Sequence, residues 1–141
     1  MIREAEITDS GYIKLLLEQL GYPQNSEEQV KQSIQNYLNR PNIVYVYEDE
    51  CKVIGFISIS IIPMFHRNSG VGRITALCVN EKKRGNGIGT KLLNEAKRYC
   101  KSMGCEKIEV TSGNRIERKP THKFYLNKGM GIDSTRFTQI I

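Results

Sequence analysis

The segment Glu81 to Leu93, with the sequence EKKRGNGIGTKLL, combines glycines and basic side chains between a strand-like and a helix-like run. Gly85, Gly87 and Gly89 alternate with other residues, and lysine or arginine occupies positions 82, 83, 84 and 91. The free amides and the dipole of a helix N-terminus attract anions, and glycine lets a ligand approach those amides closely. The segment therefore predicts a phosphate-binding loop.

Two common phosphate-binding motifs do not fit this spacing. Counted from Gly85, a Walker loop needs its second glycine at position 90, where Thr90 stands. A dinucleotide fingerprint also needs glycine there, although Glu109 stands where its ribose-binding acid would be. Only one strand–helix–strand unit remains after the third predicted strand, which is too little for a dinucleotide-binding domain. The pattern that fits is Arg84-x-x-Gly87-x-Gly89.

Composition indicates one globular domain, residues 1–141. Of these residues 39% are hydrophobic and 26% charged, and no apolar run approaches the roughly 20 residues that cross a bilayer. The acidic N-terminal segment lacks the apolar core of a secretory signal, so we expect a cytoplasmic protein with no membrane partner. The net charge of +6 suits a phosphate-bearing ligand, and no basic helix face or basic–aromatic strand favours nucleic acid.

The cysteines and histidines do not predict a metal site. No Cys-x-x-Cys pair occurs among the cysteines at positions 51, 78, 100 and 105, and the two histidines lie far apart in sequence. Cys78 lies in an apolar strand and Cys100 on the apolar side of a helix. Both are predicted to be small buried hydrophobes in a reducing compartment.

Hydrophobic periodicity predicts the elements that position the loop. A period of two predicts a short strand at 2–6, a hairpin over 43–62, and strands near 71–80, 105–112 and 134–141. Helical spacing predicts helices near 10–20, 26–38, 88–103 and 120–128. The order β-α-α-β-β-β-α-β-α-β predicts a mixed sheet with helices on its faces.

Three segments together resemble the GCN5-related N-acetyltransferases: LCVNEKKRGNGIGTKLL, IEVTSGN and HKFYLNKGM. The element order also resembles that family over nearly the whole chain. In the family, R-x-x-G-x-G after a β-bulged strand is the acetyl-CoA signature. The resemblance implies an α/β (α+β mixed) fold with a central, mostly antiparallel, twisted mixed sheet of six to seven strands and about four helices on its faces.

The resemblance also implies which residues hold acetyl-CoA, the co-substrate, with no metal involved. The loop amides would bind the pyrophosphate, and Asn114 would contact coenzyme A. The strand before the loop would offer backbone groups to the pantetheine arm, and the Val79 N–H would polarise the acetyl carbonyl. The residues so assigned are Leu77, Cys78, Val79, Arg84, Gly85, Asn86, Gly87, Ile88, Gly89, Thr90 and Asn114.

Acetyl transfer needs an acid and a base. The leaving thiol has a free pKa of about 8.5, and the resemblance assigns Tyr125 as its proton donor; the alternative is that Tyr125 is helix core, as expected for Phe124. An alkyl ammonium with a pKa of about 10 must lose a proton before it attacks. Glu109 is the first candidate base, with an exposed strand carboxylate or a water chain as alternatives. A loop histidine, His66, is a further candidate substrate contact or a solvated side chain.

The segment between Asn114 and Tyr125 departs from the family pattern, because its ten residues, RIERKPTHKF, exceed the number in many relatives. Its basic side chains would shape the acceptor pocket or contact the adenosine 3′-phosphate. The longer connection makes the assignment of Glu109 less secure, since the geometry between strand and helix depends on it.

These residues predict an N-acetyltransferase that passes the acetyl group of acetyl-CoA directly to an amine. Cys78, in a buried strand with no histidine near in sequence, is not expected to form an acyl-enzyme. The alternative is a non-catalytic acyl-CoA-binding sensor module. The expected acceptor is a small-molecule amine, with a protein amine as the alternative, chosen by residues 12–39, 63–70 and 114–124. The closing strand would also permit a homodimer.

Overall fold

The computed structural model describes residues 1–112 and 118–141, which form two compact units, residues 1–111 and 112–141. No helix in these two described stretches is long and apolar enough to cross a membrane. The described part of the second unit contains the helix α4 (Lys119–Asn127). The elements of the first unit are β1 (Ile2–Glu4), α1 (Ser10–Leu20), α2 (Glu27–Tyr37), β2 (Ile43–Asp49), β3 (Lys52–Pro63), β4 (Gly70–Val79), α3 (Ile88–Ser102) and β5 (Lys107–Val110).

The five strands form one sheet in the order β1-β2-β3-β4-β5. The first three pairings are antiparallel and β4 pairs with β5 in parallel, so the sheet is mixed and mostly antiparallel, as predicted. A parallel pair needs a crossover, and α3 provides it.

The prediction of six to seven strands is wrong, because the described residues contain five. The closing strand predicted over 134–141 is not formed. Its apolar side chains are exposed: Phe137 is 90% and Ile140 98% exposed. Alternating apolar residues show that a segment could present one apolar face. A strand also needs an edge to pair with and a surface to cover.

Local capping signals set the helix boundaries as predicted. At the start of α2, Ser26 Oγ accepts a hydrogen bond from the Gln29 N–H at 3.1 Å, and Gln29 Oε1 accepts one from the Ser26 N–H at 2.8 Å. This reciprocal pair is the capping box that the sequence predicts. At the end of α1, Gly21 adopts a left-handed conformation that stops the helix.

One face of the sheet packs against α1 and α2. The core on that face is built from small and branched apolar side chains together with the side chain of Cys78. Its buried members are Ala5, Ile13, Leu16, Val30, Ile34, Val44, Val46, Val53, Phe56 and Cys78.

The other face of the sheet packs against α3, whose Leu92, Leu93 and Ala96 are fully buried. Gly72 in β4 faces the Cys100 side chain so closely that an added Cβ would lie 2.2 Å from its Sγ. Cys100 is buried as predicted, and burial raises the pKa of its thiol to about 12. The thiol therefore stays neutral and packs as a small apolar group.

Gly72→Ala is expected to destabilise the fold by about 1–3 kcal/mol, because the methyl group overlaps Cys100 and forces α3 away from β4. Gly11→Ala is the matched control. That glycine lies in α1, where an added Cβ would meet Glu27 Oε1 at an ordinary contact distance of 3.7 Å, so alanine should stabilise the helix by up to about 1 kcal/mol. Urea unfolding measures both. Equal stability of Gly72→Ala and the wild type would contradict the packing described for α3.

Candidate active site

The strand β4 contains a β-bulge at Thr75. Ser58 of β3 pairs with Ala76 and the next residue, Ile59, pairs with Ile74, so Thr75 is an extra residue between them. Pairing of β4 with β5 ends at the same place, with Ile74 opposite Val110. Among the described strands, residues 75–79 therefore pair with β3 alone, and their other edge is open. The bulged strand before the loop is as the resemblance implies.

Backbone direction on this open edge follows from the register. The Asn80 N–H donates to the Ile54 carbonyl at 2.8 Å, so the pair Gly55–Val79 is of the non-hydrogen-bonded kind. The N–H of Val79 consequently points away from β3, and that of Leu77 does the same. The Val79 carbonyl faces this side too and accepts a hydrogen bond from Arg84 Nε at 3.0 Å. The edge thus presents main-chain groups in an orientation fixed by the sheet.

The glycine-rich loop leads from this edge into α3. Gly85 and Gly87 have φ of +84° and +78°, which side chains with a Cβ rarely adopt, and no atom would crowd a Cβ at either position. Glycine is therefore needed for backbone conformation, not for space. Gly87 is the N-cap of α3, and no side chain caps the helix. The first-turn N–H groups at 88–90 therefore have no side-chain acceptor at the N-cap, and uncapped groups of this kind can bind an anion.

Side-chain hydrogen bonds hold the loop in shape. The Asn80 side chain accepts from the Lys82 N–H at 3.0 Å, and Asn86 Nδ2 donates to the Lys83 carbonyl at 3.0 Å. Asn86, which the family resemblance assigns to the coenzyme, thus has a structural role within the loop. The basic residues 82–84 lie on the exposed side of this turn.

Two hydrogen bonds connect α1 to the junction between β4 and the glycine loop, one at Cys78 and one at Glu81. Gln19 Oε1 accepts a hydrogen bond from the Glu81 N–H at 2.9 Å, and Cys78 Sγ donates to the Leu16 carbonyl at 3.1 Å. The Cys78 side chain is therefore part of the α1 core, which agrees with the prediction that it is not a nucleophile. The pattern of the sequence contained no signal for Gln19.

Glu109, the candidate base, lies on β5 directly opposite Arg73 of β4. Its Oε1 accepts a hydrogen bond from Arg73 Nη1 at 2.9 Å, and Arg73 Nη2 donates to Thr111 Oγ1 at 2.7 Å. The carboxylate is about one-third exposed and already carries a cationic partner. Sequence reasoning missed Arg73, although a single arginine inside the apolar run VGRITALCV was a usable signal.

Tyr125, the candidate acid, belongs to the second unit. It is buried on α4, with its ring edge-on to Phe124 at 5.3 Å between centroids. Burial raises the pKa of the Tyr125 phenol to about 12, against a smaller opposing effect of the Arg118 charge. Asn114, Arg115 and their neighbours over 113–117 lie outside the described residues.

The remaining candidates have ordinary surroundings. His66 Nε2 accepts a hydrogen bond from Arg67 Nε at 3.0 Å in the exposed loop between β3 and β4. Within residues 1–112 and 118–141, no group of three or more histidine, cysteine, aspartate or glutamate side chains is arranged to hold a metal ion.

Comparison with known proteins gives the family. Residues 11–132 match the model of the acetyltransferase (GNAT) family. The chain is 31% identical over 146 residues to the glucosamine 6-phosphate N-acetyltransferase of Arabidopsis thaliana, a match that covers 98% of this chain and 94% of the relative. The crystal structure of that enzyme superposes with a TM-score of 0.83 at 27% identity, covering 99% of this chain and 97% of the other.

Two further proteins are similar, one in sequence over part of the chain and one in fold. The aminoalkylphosphonate N-acetyltransferase of Salmonella typhimurium is 32% identical over 90 residues, which cover 64% of this chain and 57% of that enzyme's length. An aminoglycoside N-acetyltransferase solved in complex with CoA shares the fold, with a TM-score of 0.84 at 18% identity over 99% of this chain and 93% of the other. The chain therefore belongs to the GNAT family of acetyltransferases, as the motifs indicated.

Proposed function

We propose that this acetyltransferase moves the acetyl group of acetyl-CoA directly to the amine of a small molecule. The observation that carries the proposal is the open edge of β4, which leads through the short turn at Glu81–Lys83 into the glycine loop at the N-terminus of α3. Such an edge can bind an extended amide-containing chain, and such a loop can bind a pyrophosphate. Acetyl-CoA contains both, in that order.

The described residues fit this co-substrate. The Leu77 and Val79 main-chain groups would hold the pantetheine arm, and the loop amides over 85–90 would hold the pyrophosphate. The exposed basic residues 82, 83 and 91 supply the positive charge that phosphate requires. Bound acetyl-CoA supplies an activated thioester. The Val79 N–H is the proposed donor to its carbonyl oxygen.

Proton transfer is proposed to use Tyr125 and Glu109. The raised pKa of Tyr125 keeps the phenol protonated at neutral pH, which is the form that can donate to a departing thiolate. Glu109 is proposed to accept the amine proton, and the hydrogen bond from Arg73 fixes the orientation of its carboxylate.

The acceptor is proposed to carry a phosphate or phosphonate group. The names of the two sequence relatives described above both refer to amines with such a group. The net charge of +6 favours anionic ligands. The family match over residues 11–132 runs through both units, which supports a single acetyltransferase domain over 1–141.

The proposed reaction predicts thiol release from acetyl-CoA with matched amines. The pairs are glucosamine 6-phosphate with glucosamine, and 2-aminoethylphosphonate with ethylamine. One charge-assisted contact to the phospho group is worth about 1.5–3 kcal/mol, so kcat/KM should be at least about tenfold higher for the phospho member of a pair. Equal rates within both pairs would refute the phospho preference. Acetyl-CoA binding without thiol release from any amine would favour the sensor alternative.

The loop prediction is tested by two glycines with the same left-handed backbone. Gly87→Ala should weaken acetyl-CoA binding at least tenfold in calorimetry, because a strained N-cap turns the loop amides away from the pyrophosphate. Gly104, at the other end of α3, has a φ of +81°. The variant Gly104→Ala should therefore lose similar stability but keep its affinity for acetyl-CoA. If both variants bind acetyl-CoA equally, the loop is not the pyrophosphate site.

The proposed acid and base predict lower turnover when either is replaced. Tyr125→Phe and Glu109→Gln should each lower kcat by about 10²-fold or more, with little change in the Kd of acetyl-CoA. Because a raised pKa preserves the neutral phenol, the wild-type rate should not fall between pH 7 and 10 through ionisation of Tyr125. Steady-state kinetics across this pH range measure both effects. An unchanged kcat in either variant would remove that residue from the mechanism.

A homodimer is proposed to use the exposed closing segment, 134–141, as an added strand. Its apolar side chains are exposed in the single chain, and an unpaired segment of this pattern suits strand addition to a second copy. Removal of residues 134–141 should convert a dimer to a monomer in sedimentation experiments. A wild-type chain that stays monomeric at high concentration would contradict this assembly.

A further inference from the structure

Three hydroxyl groups meet at the β-bulge of β4. Thr75 Oγ1 lies 2.9 Å from the Tyr37 hydroxyl and 2.7 Å from Ser58 Oγ, and it donates to the Ser58 carbonyl at 3.4 Å. The three residues come from the last turn of α2, from β3 and from β4. We call them the hydroxyl cluster. No part of the proposed mechanism above uses it.

The position of the cluster is defined by the sheet. Thr75 is the residue at which β4 loses its partner β5, so it stands at the inner end of the open edge. The Leu77 and Val79 N–H groups follow on that edge towards the glycine loop. A thioester held on this edge would thus have the glycine loop at one end of the open edge and the hydroxyl cluster at the other.

Burial is graded across the cluster. Ser58 is only 7% exposed, Tyr37 is half-buried, and Thr75 is exposed despite its hydrogen bonds. Because Thr75 and the buried Ser58 hold the Tyr37 hydroxyl, that hydroxyl has a set direction and remains partly accessible to a ligand.

The arrangement of hydrogen-bond donors and acceptors in the cluster suits the binding of an amine. When Thr75 donates to the Ser58 carbonyl, the Tyr37 and Ser58 hydroxyls can both donate to Thr75. This uses both lone pairs of Thr75 and leaves the Tyr37 oxygen with a lone pair that the cluster does not use. A lone pair on a neutral oxygen accepts a hydrogen bond from an amine N–H. A carboxylate in the same place would stabilise the ammonium form, which cannot attack, whereas a hydroxyl does so far less.

We propose that the hydroxyl cluster binds and orients the acceptor amine in its neutral form, with Tyr37 as the contact and with Thr75 and Ser58 as the positioning residues. This inference rests on the proposed acetyl transfer. In that reaction the amine nitrogen bonds to the acetyl carbon, the bond from that carbon to sulfur breaks, the nitrogen loses one proton and the sulfur gains one. The cluster ends at buried Ser58, so it orients the amine and does not carry the released proton away.

The test uses Thr75→Val, which replaces the hydroxyl by a methyl group of the same shape, with glucosamine 6-phosphate and 2-aminoethylphosphonate as probe acceptors. We expect kcat/KM for the acceptor to fall at least tenfold and the Kd of acetyl-CoA to stay within twofold. Thr75→Ser should restore most of the activity, and Tyr37→Phe should lower kcat/KM for the acceptor in the same way.

Ser60→Ala is the matched control. Ser60 lies two residues along β3 from Ser58, and its hydroxyl bonds to Asn42 Oδ1 at 2.8 Å, outside the cluster. It should leave kcat/KM unchanged. If the wild type transfers acetyl groups and Thr75→Val behaves like Ser60→Ala, the cluster has a structural role only and this inference is overturned while the proposed function stands. If the wild type acetylates neither probe nor any other amine, both are overturned.

Discussion

The arrangement of the site depends on one irregularity in hydrogen bonding, the extra residue at Thr75 in β4. A regular strand would continue to pair on both sides, and its main-chain groups would be consumed by the sheet. The bulge changes the register with β3 at the position where β5 stops pairing. As a result the last five residues of β4 keep the rigidity of an inner strand on one side and expose an edge on the other. A ligand-binding edge that is held in place by the fold needs little reorganisation on binding.

The close packing of α3 on the sheet fixes the second part of the site, which is the N-terminus of that helix. Gly55 and Gly72 remove side chains from the face of the sheet beneath α3, and an added Cβ on Gly55 would lie 3.2 Å from Leu92. The helix therefore packs close to β3 and β4, and its N-terminus is fixed relative to the end of β4. The direction of the helix dipole is thus determined by packing at the opposite end of the helix as much as by the loop itself.

Features that depend on neighbouring residues in sequence could be predicted from the sequence. The capping box at Ser26, the end of α1 at Gly21 and the glycine loop are of this kind, and the family follows from the loop together with its flanking motifs.

Features that depend on register could not be predicted. The ion pair of Arg73 with Glu109 exists because two strands align in parallel, and the cluster of Tyr37, Ser58 and Thr75 exists because one strand carries an extra residue. The prediction of a closing strand over 134–141 was wrong for a related reason. The alternation of apolar residues in that segment does not specify the sheet edge with which it would pair.

The two contacts that connect α1 to the junction of β4 and the glycine loop limit how the acceptor preference of this enzyme can be changed by exchanging segments. The segment expected to select the acceptor begins in the same helix that holds Glu81 through Gln19 and Cys78 through the Leu16 carbonyl. Replacing α1 and α2 by the corresponding segment of a relative would therefore also alter the support of the donor loop. A chimera that aims to change the acceptor alone has to keep the last turn of α1, so the natural boundary for such an exchange lies after Gly21.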